Sequence, residues 1–203
     1  GERVLVPFLH SRGIRHLDAV VGTHPHSDHI GGLPAVLGAV DVDWYLDNGQ
    51  ASQARPAQQL RHLVSSHGIA YRALAGGDSL AGFGDGGILV LWPPPAEAGG
   101  RERALRNVNE GSVVLRVTSG RSALLFAGDI EAGSEQALLA WGGRLRAQVL
   151  KVPHHGAPTS SSPRFVRAVG PRLAVVSVGA GNRFGHPAER VMALLRGEGA
   201  LAV

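Results

Sequence analysis

Along most of the chain, short apolar runs alternate with amphipathic stretches, the pattern of a mixed α/β protein. "LDAVVGT" (17–23) predicts a strand that runs into a polar loop, and "GGLPAVLGAV" (31–40) predicts a short helix behind it. "VDWYL" (42–46) reads as a second strand. "QARPAQQLRHLVSSHG" (53–68) has one apolar face at helical spacing, with Gly68 placed as a C-terminal cap. "IAYRAL" (69–74), "GILVLWP" (87–93), "SVVLRVTS" (112–119) and "SALLFAGD" (122–129) read as strands, the last two joined by a hairpin turn at Gly120 and Arg121.

The second half alternates regularly. Helices are expected over "EAGSEQALLAWG" (131–142), "SSPRFVRAVG" (161–170) and "PAERVMALLRG" (187–197), with strands at "AQVLKVP" (147–153) and "RLAVVSVG" (172–179). Ser162 is placed to cap the middle helix, with Pro163 in its first turn. "PPPAEAGGRERALRN" (93–107) is a polar, proline-rich excursion and is expected to be a flexible loop. Nothing marks a domain boundary, so the expectation is one α/β domain over residues 1–203.

Composition narrows this picture. With 203 residues and 44% hydrophobic content, the chain can bury a real core. Its apolar runs, such as "ILVLW" (88–92), fall far short of the roughly 18 residues that span a bilayer. "GERVLVPFLHSRG" has neither the long apolar centre nor the cleavage-type end of a signal peptide, and a soluble domain is expected. Cysteine is absent, so disulfides and thiolate metal sites are excluded and any metal must be held by nitrogen and oxygen. The net charge is +4 and Lys151 is the one lysine; such a mild positive balance only weakly favours a polyanionic partner.

The candidate chemistry sits at strand ends. "THPHSDH" follows the first strand, "AGD" closes the strand at 122–127 and "VPHHG" closes the strand at 147–153. His24 and His26, two apart, would reach the same side of an extended turn and hold one ion; Asp28 and His29, being consecutive, would leave the backbone in different directions and hold a second. A carboxylate such as Asp129 could bridge the two. Paired ions about 4 Å apart activate water and clamp a leaving oxygen. The competing reading, a solvated turn with chance histidines, sits poorly with four ligand-type residues in six positions. For Asp129 alone an ordinary turn and helix cap is an equal reading, and for His154 and His155 a surface pair is a fair rival, though the flanking Pro153 and Gly156 favour a fixed conformation.

These motifs carry a resemblance. "THPHSDHIGG" resembles the signature loop of the metallo-β-lactamase superfamily. "NVNEGSVVLRV", "LLFAGDIE", "VLKVPHHGAPTSSSP" and "VVSVGAGNRFGHP" are similar to the C-terminal hydrolase module of the ComEC family, the membrane channels for DNA uptake in competent bacteria. The resemblance covers about residues 3–196. It implies an αββα four-layer sandwich with metals at its edge. His24 and His26 match ligands of one metal, Asp28 and His29 of the other, and Asp129 the bridging carboxylate. His155 matches a further ligand and His154 a phosphate contact or proton donor to the leaving oxygen, which makes Asp28 and His154 the expected catalytic residues. Lys151, Asn109, Ser112 and His186 are the expected substrate contacts; for His186 a capping role ahead of Pro187 is at least as good a reading, and for Lys151 a place on a sheet face is an even one. Asn182 and Arg183 could line a polyanion track.

Two departures from the family pattern shape the expectation. Between the first motif and Asp129 the superfamily commonly adds a histidine, whereas this chain offers Asn107, Asn109 and Ser112. An oxygen-richer set suits two divalent ions with manganese favoured, zinc or magnesium being possible. The family's opening β-hairpin is also missing ahead of "GERVLVPFLHSRG", so the sandwich is expected to lack its first hairpin.

The leading functional expectation is a two-metal phosphodiesterase that degrades one DNA strand during uptake in natural transformation. Its partners would be DNA, expected single-stranded and held through phosphates, and the membrane-channel portion of a parent protein, with no obligate oligomer implied. The resemblance places the module on the extracytoplasmic side of the cytoplasmic membrane. No aromatic row for stacking bases is visible in the sequence. Alternatives are a small-molecule hydrolase on the same scaffold, acting on a phosphoester, lactone or thioester, and a non-catalytic module that docks DNA or the channel.

Overall fold

The structure, a computed structural model, describes residues 1–81, 86–95 and 106–203. Most of the loop expected over 93–107 lies outside the described residues. The chain divides into two compact units, residues 1–74 and 75–203.

In the first unit α1 (Leu5–Ser11) precedes a parallel sheet of order β1-β2-β3, formed by β1 (His16–Val21), β2 (Asp41–Asp47) and β3 (Ala70–Ala73). Parallel neighbours need crossovers. These are α2 (Ser27–Ile30) with α3 (Leu33–Leu37), and then α4 (Arg55–Ser66). The apolar positions of α4 recur at helical spacing, so Ala57, Leu60 and Val64 are buried with Val20, Ile30, Leu37 and Tyr45. Leu60, 1% exposed, contributes about 2 kcal/mol by burial alone, and Leu60→Ala would cost about 2–5 kcal/mol. Gly68 ends α4 as expected, at φ +66°, a left-handed conformation that costs glycine nothing.

The second unit is built on a sheet of order β10-β9-β8-β7-β6-β5-β4. Its strands are β4 (Ser79–Leu80), β5 (Gly87–Trp92), β6 (Val114–Ser119), β7 (Ser122–Phe126), β8 (Val149–Lys151), β9 (Leu173–Val175) and β10 (Leu201–Ala202). From β4 to β7 neighbours are antiparallel, and from β7 to β10 they are parallel. The crossovers are α5 (Ala132–Leu138), which runs on into a 3-10 segment over Leu139–Leu145, then α6 (Pro163–Val169) and α7 (Glu189–Gly197). Leu91, Leu125, Ile130, Leu150, Phe165 and Leu195 form the centre of its core. Ser162 caps α6, its Oγ accepting from the Phe165 N–H at 3.4 Å. Because β7, β8 and β9 are parallel, their carboxyl ends share one sheet edge.

Several elements depart from expectation. The strand expected over 172–179 stops at Val175, because the Ser177 carbonyl turns to His155 Nδ1 at 2.6 Å. The helix expected over 131–142 is α-helical only to Leu138; beyond it Gly142 takes φ +53° inside the 3-10 segment. The strand expected from residue 112 begins at Val114, since Ser112 closes a turn onto the Asn109 carbonyl at 2.9 Å. Among the described residues, no helix is long and apolar enough to cross a membrane.

Candidate functional site

In the first unit the chain leaves β1 through Gly22, whose N–H still bonds the Leu46 carbonyl of β2 at 2.8 Å. His24 is then carried into the interior, 1% exposed. His26 is extended (φ −77°, ψ 146°) and caps α2, a single turn that holds Asp28 and His29. Three imidazoles converge: His24 Nε2 lies 3.1 Å from His26 Nδ1, and the His24 and His29 ring centroids are 4.1 Å apart. Thr23 Oγ1 sits 3.1 Å from His24 Nδ1 and 3.3 Å from His29 Nδ1, orienting both rings from behind.

His24 and His26 meet on one side of the turn as their spacing predicts. Asp28 and His29, expected to share a second ion, bring a carboxylate oxygen and a ring nitrogen close together. His29 Nε2 lies 3.7 Å from Asp28 Oδ2 within the one-turn helix, which folds the His29 ring back beside His24.

In the second unit the tight turn after β7 presents Asp129, 2% exposed. Gly128 makes that turn at φ +54°, and a Cβ there would lie 2.6 Å from Ser112 Cβ, so the position needs glycine on both counts. Ser112 Oγ accepts the Asp129 N–H at 3.0 Å; fully buried, this hydroxyl positions the Asp129 turn. Asp129 Oδ2 lies 3.4 Å from His155 Nε2, and Oδ1 lies 3.6 Å from Lys151 Nζ. Lys151 Nζ also donates to the Gly128 carbonyl at 3.2 Å. Hydrogen bonding to Asp129 raises the pKa of His155 above the ordinary imidazole value, with burial opposing it and the Ser177 carbonyl assisting.

Consecutive left-handed residues follow β8, His154 at φ 46° and His155 at φ 54°. Two non-glycine residues held so cost on the order of 1–3 kcal/mol each, a strain that clusters at functional sites. The surroundings impose it. The His154 N–H donates to the Gly128 carbonyl at 3.1 Å, and its Nδ1 lies 3.0 Å from Glu131 Oε1. Thr159 Oγ1 donates to the same Glu131 oxygen at 2.8 Å, and Asn109 Nδ2 reaches it at 3.5 Å. The His186 ring centroid lies 5.8 Å from that of His154, and burial lowers the His186 pKa. Asn182 clamps the His186 backbone with bonds of 2.7 and 3.1 Å. On the exposed rim, Arg183 lies 5.6 Å from the centre of the Phe184 ring, which stacks on His186. Asn107 Oδ1 only caps its own turn, accepting the Asn109 N–H at 3.0 Å.

Sequence reasoning missed the supporting groups. Thr23, Glu131, Thr159 and the Ser177 carbonyl orient the histidines, and Glu110 accepts the N–H groups of Glu131, Gly133 and Ser134 at the start of α5 at 3.3, 3.0 and 2.8 Å. All of them lie inside the quoted motifs, but nothing in the spacing pairs them with the histidines. The donors fit a divalent ion. Two imidazole nitrogens facing each other at 3.1 Å need a shared proton or cation between them, and imidazole with carboxylate is a nitrogen-and-oxygen set that divalent metals accept.

The metallo-beta-lactamase superfamily profile matches residues 2–180. The chain is 32% identical over 197 residues to ComE operon protein 3 of Bacillus subtilis, covering 97% of this chain and 24% of that protein. It is 33% identical over 200 residues to competence protein ComA of Neisseria gonorrhoeae, covering 96% and 25%. The chain thus spans about a quarter of the length of these relatives. Among solved structures it is similar to isothiocyanate hydrolase from Delia radicum gut bacteria, with TM-score 0.54 and 16% identity over 99% of this chain and 76% of that one. From the matched residues, which span most of its length, this chain belongs to the metallo-beta-lactamase superfamily.

Proposed function

We propose that this domain is a phosphodiesterase that cuts DNA, preferring single strands, and that it works with two divalent ions of which manganese is favoured. The ligands on this reading are His24, His26, Asp28, His29, Asp129 and His155, assigned from the family's pattern. Divalent ions, when bound, neutralise phosphoryl charge and acidify water. The chain's own residues supply the rest. Asp28 stands beside His29 at the expected site of attack. His154, its Nδ1 engaged by Glu131, keeps Nε2 to serve the departing oxygen. That His154–Glu131–Thr159 arrangement, on the same sheet edge as Asp129 and His155, is the observation that carries the reading. The fixed imidazole is the proton donor a poor alkoxide leaving group needs.

DNA as substrate draws support from the similarity to a competence protein and from the net charge of +4. Lys151, Asn109, Ser112 and His186 serve phosphate binding on this reading, Lys151 and His186 directly, and Ser112 by positioning Asp129. The wider proposal places the domain in a membrane channel protein, facing the extracytoplasmic side and acting on the strand not taken up. The test is cleavage of labelled single-stranded and duplex oligonucleotides with manganese, magnesium or zinc, beside bis-nitrophenyl phosphate. Metal-dependent cutting of single strands at far lower concentrations than the small ester is expected. Turnover of the small ester alone would contradict a nuclease.

A further inference from the structure

The first unit contains a cavity of about 680 Å³ beside the histidine loop, most of whose walls the ligand assignment does not use. It opens at the carboxyl ends of β1 and β2, where ligands of open α/β sheets bind, and His24 forms part of its wall. Its size suits a small planar ligand with room to spare.

The walls are of three kinds. The chain's two tyrosines, Tyr45 and Tyr71, are cross-strand partners in the cavity, their rings stacked at 6.3 Å and 23°. Tyr45 is buried while Tyr71 is 52% exposed, so an aromatic face is offered from a fixed support. Tyr71 Oη donates to Asp47 Oδ1 at 3.0 Å, which holds the ring. Beside it, Asn48 and Gln50 are locked together: Asn48 Nδ2 donates to Gln50 Oε1 at 3.3 Å and the Gln50 N–H to Asn48 Oδ1 at 3.0 Å. Two oriented amides thus border an otherwise apolar floor that includes Leu60 and Val64.

We propose that this cavity is a nucleobase subsite, seating the base of a nucleotide that flanks the scissile phosphate. The proposal rests on the nuclease reading above and deepens it. A base presents a π-face for Tyr71 and a donor–acceptor edge for the amides, and it fills a half-apolar cavity without burying charge. A phosphate does not suit the same walls. Asp47 lines them, and Arg61, the cation present, is engaged with the Ser52 carbonyl at 2.7 Å. Binding of this kind tolerates any sequence while discriminating against a missing base.

The test replaces one nucleotide at a time by an abasic residue on either side of the cut in a single-stranded oligonucleotide. KM is measured on the unmodified protein, and dAMP is titrated separately while the tyrosine ring NMR signals are followed. A single abasic position should raise KM roughly tenfold, and dAMP should shift the Tyr71 signal. Tyr71→Ala should erase the abasic penalty, and Tyr71→Phe should keep it. If DNA is cut but every abasic position behaves alike and dAMP shifts neither tyrosine, the subsite is wrong and the nuclease reading stands. If DNA is not cut while dAMP still shifts Tyr71, the nuclease reading falls and with it the placement beside a scissile phosphate, and the cavity stands only as a nucleobase site.

Discussion

The histidine loop after β1 and the strand-edge cluster of the second unit reach similar chemistry by opposite routes. The loop is local. Four donors and their orienting threonine occupy residues 23–29, and one extended residue followed by one helical turn brings them together. The cluster is assembled from distant chain: Ser112, Asp129, Lys151, His155 and Ser177 meet only because β7, β8 and β9 run parallel beside β6. The local arrangement depends on donor spacing, and the assembled one on sheet order and on polar groups that orient the donors.

The sharpest way to break this comparison is Asp129→Ala. Metal-dependent cleavage should fall roughly 1,000-fold, read from initial rates on single-stranded DNA, while circular dichroism stays unchanged. His154→Ala should lower kcat roughly 100-fold with little change in metal content, because His154 acts on the leaving oxygen. Glu131→Gln, which touches no reacting atom on this reading, should cost roughly tenfold in kcat by loosening His154.

The next prediction concerns scaffold rather than chemistry. Glu135 is fully buried; its oxygens accept the Ser161 N–H at 2.5 Å and the Ser162 N–H at 2.7 Å, and burial raises its pKa. Glu135→Gln would point an amide donor at one of these N–H groups and should cost about 1–3 kcal/mol in urea unfolding. The smallest effect concerns pH. The folded pKa of His155 is raised by Asp129, so in metal-free protein the pair's stabilisation is fully present below the ordinary imidazole pKa of about 6.5. It is lost as pH rises through the folded value. Metal-free protein should therefore unfold more easily at pH 8 than at pH 6 (both about), and His155→Gln should flatten that dependence.

How much was legible follows the same local–distant divide. Elements with clear periodicity and punctuation, such as α4 with Gly68 or the β6–β7 hairpin, match their sequence signals closely. The two-residue strands β4 and β10 are too short to carry a period. The helix α1 buries none of its residues, so no apolar stripe announced it. The donors His24, His26, Asp28 and His29 could be listed from spacing, yet the folding back of His29 onto His24 depends on a helix of one turn. In the second unit Glu131 and Thr159 were invisible as partners of His154, because their contact joins the turn after β7 to the segment after β8. Tyr45 and Tyr71 likewise meet only through the β2–β3 register, which no aromatic row in the sequence foretold.

The most direct test of the central claim is the number of metal ions bound per chain, measured by manganese titration and elemental analysis of the chelator-stripped and reloaded protein. Two equivalents per chain are expected, with Asp129→Ala binding fewer and cleavage returning in step with the second equivalent. A chain that saturates at one equivalent, or that cuts DNA equally well when stripped, would contradict the two-ion phosphodiesterase.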